Sequence, residues 1–135
     1  MSLPGEDKKL TVCVYISGQH SRAGLTLLDA LFETPGLGKT WELIVAVDAP
    51  NYDIKHLIQK DYRRRNKAVF FESAHALGKE RWWRVMMANM RSEYAFLMDQ
   101  DAHVSPSWLS GILDYIRDNP NAELCGFKHA TPPPS

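Results

Sequence analysis

The sequence predicts an α/β fold: a mostly parallel sheet of about five strands, with helices on both faces. Three observations carry that reading. Apolar runs rich in Val, Ile, Leu and Phe recur along the chain, as in strands buried on both faces. Between them lie segments whose apolar residues repeat at helical spacing. The two kinds alternate regularly, and right-handed crossovers then make neighbouring strands parallel.

The elements follow in order. Leu10 to Ile16 (LTVCVYI) is β-branched and apolar, a first strand. Ser17-Gly18-Gln19-His20 is a polar loop. Ser21 caps a helix carrying Ala23, Leu27, Leu28, Leu31 and Phe32, stopped by Thr34-Pro35-Gly36. Trp41 to Val47 (WELIVAV) is the second strand and ends at Asp48-Ala49-Pro50. Asp53 caps a helix with Ile54, Leu57, Ile58 and Tyr62 on one face. Lys67 to Phe71 is a short third strand. Lys79 to Arg91 is a helix with Trp82, Met86 and Met90 on one stripe and Trp83 and Met87 beside it, a core stripe at helical spacing. Tyr94 to Met98 (YAFLM) is the fourth strand. Ser105 then serves as N-cap and Pro106 as first residue of a helix striped by Trp108, Leu109, Ile112, Leu113 and Ile116. Asn119-Pro120 closes it, and Glu123 to Phe127 is the last strand.

At 135 residues the chain makes one domain, read as residues 10–130 with flexible ends at 1–9 and 131–135. Formal net charge is zero, so the overall balance gives no reason to expect nucleic acid or an anionic membrane as partner. The basic cluster Arg63, Arg64, Arg65 and Lys67 follows a helix, where cations suit the dipole. The two cysteines, Cys13 and Cys125, sit in apolar runs and read as buried free thiols. No segment reaches transmembrane length and no signal peptide is visible, so the expected location is the cytoplasm.

The chemistry concentrates at Asp99-Gln100-Asp101, directly after the fourth strand. Ligands of open α/β sheets bind beyond the carboxyl ends of strands. Two carboxylates there suit a hard divalent cation, which in turn holds phosphates. The plain alternative is a pair of solvated loop carboxylates. Three other phosphate-binding patterns do not fit. The loop after the first strand has no GxGxxG. Gly38-Lys39-Thr40 precedes a strand, and Glu33 stands where a P-loop needs its first glycine. The first strand is not followed by the acidic pair of a phosphoaspartate receiver. Asp99-Gln100-Asp101-Ala102-His103 approaches the nucleophile motif of haloacid-dehalogenase phosphatases, with Asp99 as nucleophile, but falls on the fourth strand where that family has it on the first.

The order of motifs resembles the family 2 glycosyltransferases, nucleotide-sugar enzymes of the GT-A fold, over about residues 10 to 128. The resemblance rests on Ile16-Ser17-Gly18 after the first strand, Val47-Asp48 at the end of the second and Gly78-Lys79 before a helix. It continues through Ser92-Glu93-Tyr94-Ala95-Phe96-Leu97-Met98-Asp99-Gln100-Asp101 and from Ser105-Pro106-Ser107-Trp108-Leu109 through Phe127. It implies a Rossmann-like GT-A half, metal-dependent binding of a nucleoside-diphosphate sugar with UDP the usual carrier, and glycosyl transfer. Ser17 and Gly18 would lie against the nucleotide and Asp48 would contact base or ribose. Lys79, Arg81 and Arg84 would be the cations nearest the diphosphate, although on residue type alone they also suit the solvated face of a helix. Asp101 would ligate Mn²⁺ or Mg²⁺ directly, and Asp99 would reach the metal through water or contact the ribose. His103 would be a further ligand, although on residue type alone it equally suits a plain loop histidine; Gln19 and His20 would belong to the nucleotide loop.

Members of the family carry an acceptor site and, when inverting, a catalytic carboxylate in a second half. No residue here matches that base; Asp114, Asp118 and Glu123 lie on the wrong element. The chain therefore reads as the donor-binding half of a transferase, as a non-catalytic nucleotide-sugar module or, in a third reading, as a phosphatase using Asp99 as nucleophile. An uncovered sheet edge invites pairing with a second copy.

Overall fold

The structure is a computed structural model that describes residues 10–17, 22–119 and 125–126. It contains β1 (Leu10–Ser17), α1 (Arg22–Glu33), β2 (Trp41–Asp48), α2 (Tyr52–Asp61), β3 (Val69–Ser73), α3 (Lys79–Ala88), β4 (Tyr94–Asp99), α4 (Trp108–Asp118) and the short β5 (Cys125–Gly126). The strands form one sheet in the order β3-β2-β1-β4-β5, and every pairing is parallel. The α/β expectation holds. Runs of Val, Ile and Leu make these strands because both faces of a parallel sheet are covered.

The alternation of side chains splits the core in two. Val12, Val14 and Ile16 of β1, with Leu43, Val45 and Val47 of β2, pack against Leu27, Leu28 and Leu31 of α1, Ile58 of α2 and Trp108 and Ile112 of α4. Cys13, Ile44 and Ala46 point the other way and pack against Trp82 and Met86 of α3. Each fully buried Val, Leu, Ile or Met among these contributes about 1.5–3 kcal/mol. Trp41 and Trp108 meet edge to face with ring centroids 5.2 Å apart, and the Trp108 Nε1–H donates to Thr34 Oγ1 at 3.0 Å. That contact fixes the start of α4 at the lower end of α1.

Several boundaries differ from the sequence reading, each for a local reason. The cap of α2 is Asn51, whose Oδ1 accepts from the Ile54 N–H at 2.9 Å; Asp53 lies within the first turn. Ser105 and Pro106 do not start α4. The chain first descends along α1, burying Ala102, and the helix begins at Trp108 after Ser107, which makes no side-chain cap. β3 begins two residues later than expected, at Val69, and α3 stops at Ala88. Arg63–Arg65 follows α2 as an exposed 3-10 turn, as a solvated helix end would, with the Arg65 guanidinium over the rings of Phe32 and Tyr62. Cys13 is buried and free. Of the last expected strand only Cys125–Gly126 is described, and Ser21 lies outside the described residues. Among them no helix is long and apolar enough to cross a membrane.

At the amino ends of the strands a polar clasp ties α3 to the sheet. Glu42 Oε1 accepts from the Thr11 hydroxyl at 2.6 Å and from the Arg91 N–H at 2.9 Å, and Thr11 is within 2.6 Å of the Ser92 hydroxyl. Thr11 is fully buried on β1, so this network satisfies its hydroxyl where water cannot.

Candidate functional site

The carboxyl ends of the strands form a crest. From β1 the chain builds outward through β2 to β3, then returns to the other side of β1 for β4, so the order reverses between β1 and β4. Loops leave the sheet in opposite directions at such a reversal and open a crevice for ligands. Ser17 ends β1 and Asp99 ends β4, with Asp99 in register with Tyr15. Both expected site residues therefore flank the reversal. Gln100 Oε1 accepts from the Ser17 N–H at 3.1 Å and ties the two strand ends together. Gly18, Gln19 and His20 lie outside the described residues.

Asp48 ends β2 beside Ser17, but its carboxylate faces inward and only 5% of the residue is exposed. Oδ1 accepts from the Leu77 N–H at 2.8 Å and the Ser73 hydroxyl at 3.2 Å. Oδ2 accepts from the Tyr15 hydroxyl at 2.7 Å and the Gly78 N–H at 2.9 Å. The buried indole N–H of Trp82, which has no partner in good hydrogen-bond geometry, also bears on this carboxylate. Burial pushes the Asp48 pKa up, but these donors outweigh it and hold it at about 2. Burial, reinforced by the bond to Asp48, raises the Tyr15 phenol. The acceptor positions of Asp48, expected to meet base or ribose, are occupied in this arrangement by donors of the protein itself.

Those bonds place α3. Gly78 precedes the helix with φ +91°, a backbone that suits glycine, and it has no side chain to cap the first turn. Asp48 supplies from β2 the anion that a helix N-terminus favours. Lys79, the first residue of α3, then reaches across the reversal. Its Nζ lies 2.7 Å from Asp99 Oδ1 and 5.9 Å from the centre of the Tyr15 ring. Two residues expected at the site from distant parts of the chain are thus paired. Arg81 and Arg84 are exposed on α3, with no ion-pair partner among the described residues.

Asp101 follows in the turn closed by the Ala102 N–H to Asp99 O bond of 2.9 Å, and both Asp101 and His103 are exposed. They border a cleft of about 310 Å³ whose other wall is Ala23, Thr26 and Leu27 of α1. Among the described residues no three of His, Cys, Asp and Glu gather into a cluster that could hold a metal ion. Asp99, Asp101 and His103 are near in sequence but do not form a three-ligand cage. Tyr15, Ser73 and Gln100 are site residues that the sequence reading missed. Only Tyr15 gave a signal, a polar-tipped ring near the end of an aliphatic strand.

The family model described as Glycosyl transferase family 2 matches residues 25–132. The match takes in Asp48, Lys79, Arg84, Asp99, Asp101 and His103, and begins after Ser17 and Gly18. No curated protein matches the chain.

Proposed function

The chain belongs to glycosyl transferase family 2, and we propose from that premise that its crest binds a nucleoside-diphosphate sugar, with uridine as the base, together with Mn²⁺ or Mg²⁺. The observation that supports this most is the convergence of Ser17, Lys79 and Asp99 at the strand-order reversal, with Asp101 one turn beyond. In this reading Ser17 and Gly18 lie along the nucleotide, and Lys79 and Arg84 meet the diphosphate. Asp99 and Asp101 carry the cation. The sugar is passed to an acceptor hydroxyl, the activity general to the family.

The donor set bears on the cation. Without a three-ligand cluster among the described residues, it does not suit a cation caged by the protein alone. Mg²⁺ usually keeps several waters and takes one or two carboxylates plus substrate phosphates. Asp99 and Asp101 fit that shared arrangement. When bound, the cation neutralises the departing diphosphate as a Lewis acid. His103, exposed beside the same cleft as Asp101, is the further ligand in this reading. Asp48 acts through Gly78 and Lys79, as a positioning residue.

Calorimetric titration with UDP, with and without Mn²⁺, on the native chain and on Asp101→Ala, tests the proposal. Binding should require metal and vanish in the variant, whose exposed site leaves the fold unchanged. Failure of UDP, GDP and dTDP alike to bind in the presence of metal would leave Asp99 and Asp101 as loop carboxylates and overturn the reading. Turnover of a UDP-sugar separates a transferase from a non-catalytic donor-binding module.

A further inference from the structure

We propose that Lys79 is the resident counter-ion of this site: its ammonium sits on Asp99 in the place a divalent cation takes, and moves to the diphosphate when donor and cation arrive together. The inference rests on the donor-site reading above and adds to it an exchange of partners, which makes metal and nucleotide binding interdependent.

The 2.7 Å pair between Lys79 Nζ and Asp99 Oδ1 blocks one oxygen of a carboxylate that the cation needs. It is built in. Asp48 fixes the N–H groups of Leu77 and Gly78 and so the origin of α3, and the Tyr15 ring below the ammonium is itself hydrogen-bonded to Asp48. The pair is also easily displaced, because the two side chains are 47% and 31% exposed and an exposed ion pair is weak. An ammonium on a flexible stem can turn to a new anion without moving the helix.

The charges decide the order of events. A divalent cation arriving alone must evict Lys79 and leave its ammonium without an anion. Arriving with a diphosphate, the cation takes the carboxylate and the phosphate oxygens take the ammonium, in charge-assisted hydrogen bonds. Each ligand therefore tightens the other, and by linkage the factor is the same in both directions. Arg81 and Arg84, exposed and unpaired among the described residues, are not part of the exchange.

The test is Mn²⁺ affinity, read from the electron paramagnetic resonance signal of free Mn²⁺ with and without UDP. It compares the native chain, Lys79→Gln, Lys79→Arg and Asp101→Asn, with thermal unfolding confirming that each variant is folded. Lys79→Gln should bind Mn²⁺ alone about two- to fivefold more tightly, and UDP should tighten its Mn²⁺ less than in the native chain. Lys79→Arg should restore the native coupling in part. Unchanged or weaker Mn²⁺ binding by Lys79→Gln, or full coupling in that variant, overturns the exchange. If the native chain binds no Mn²⁺ even with UDP, or if Asp101→Asn binds as the native chain does, the donor-site reading falls and the exchange with it. Loss of binding in Asp101→Asn beside native behaviour in Lys79→Gln removes the exchange alone.

Discussion

Replacing Asp48 by asparagine tests whether this residue is an anchor or a ligand contact. The substitution keeps the shape and can keep the Oδ1 side, where Leu77 and Ser73 donate. It turns an NH₂ toward the Gly78 N–H and the Tyr15 hydroxyl, both donors to Oδ2 in the native chain. Hydrogen bonds to a charged group contribute about 1.5–3 kcal/mol each, so losing the Gly78 bond and reducing the Tyr15 one to a neutral pair, its hydroxyl turned to accept from the NH₂, costs about 3 kcal/mol. With a urea slope of about 1.5 kcal/mol per molar, the unfolding midpoint at pH 7 falls by about 2 M. The pH profile gives a second handle. The Asp48 pKa is about 2 in the folded chain against a usual 3.8, so its contribution is complete above 3.8 and is lost as pH falls toward 2. That shift corresponds to about 2 kcal/mol. The gap between native and Asp48→Asn curves should therefore narrow below pH 4, on top of whatever other carboxylates do to both. A midpoint within about 0.3 M of the native value, together with weakened UDP binding, would refute the anchoring role and return Asp48 to the nucleotide.

Two further outcomes probe the core that carries the site. Trp108→Ala removes a side chain that is 1% exposed, breaks the edge-to-face contact with Trp41 and strips Thr34 of its donor. It should cost about 3–5 kcal/mol in chemical denaturation, and Trp108→Phe clearly less. The Cys13 thiol is pushed up to about 12, first by burial and then by the charge of Glu42, so almost no thiolate exists at pH 8. In a Cys125→Ser background a thiol reagent should label Cys13 only as fast as the chain unfolds, and the rate should climb with urea.

The strands were legible because a parallel sheet buried on both faces demands nearly continuous apolar runs, and LTVCVYI, WELIVAV and YAFLM supply them. The helices were legible in their stripes but not in their ends. Asn51 and Asp53 are both good caps, and only the fold decides that Asn51 meets Ile54. Ser105-Pro106 has the chemistry of a helix start, yet the chain is still descending along α1 there and has not reached the Trp41 side chain that Trp108 packs against. Strand-end position pointed to Asp99 and Ser17 as neighbours of the crevice. It could not reveal that Lys79 would meet Asp99, since the pair joins elements twenty residues apart and depends on where Gly78 is held. Nor could it show that Asp48 faces inward. A carboxylate at a strand end looks the same in sequence whether its acceptors serve a ligand or the next turn of chain.

The two acidic clasps on β2 have a consequence for how this chain can vary. Glu42 holds the N–H of Arg91 beyond the end of α3, and Asp48 holds those of Leu77 and Gly78 ahead of its start. Six residue steps of strand, about 20 Å, are thus matched against one helix of ten residues, about 15 Å long, plus its short flanks. The strand works as a gauge for the helix. An inserted residue inside α3 would turn everything after it by about 100°, swinging Met86 off the sheet and pulling Arg91 from its clasp. Natural and designed variants of this segment should therefore exchange side chains freely at exposed positions such as Glu80 and Ala88, while the number of residues between Gly78 and Arg91 stays constant.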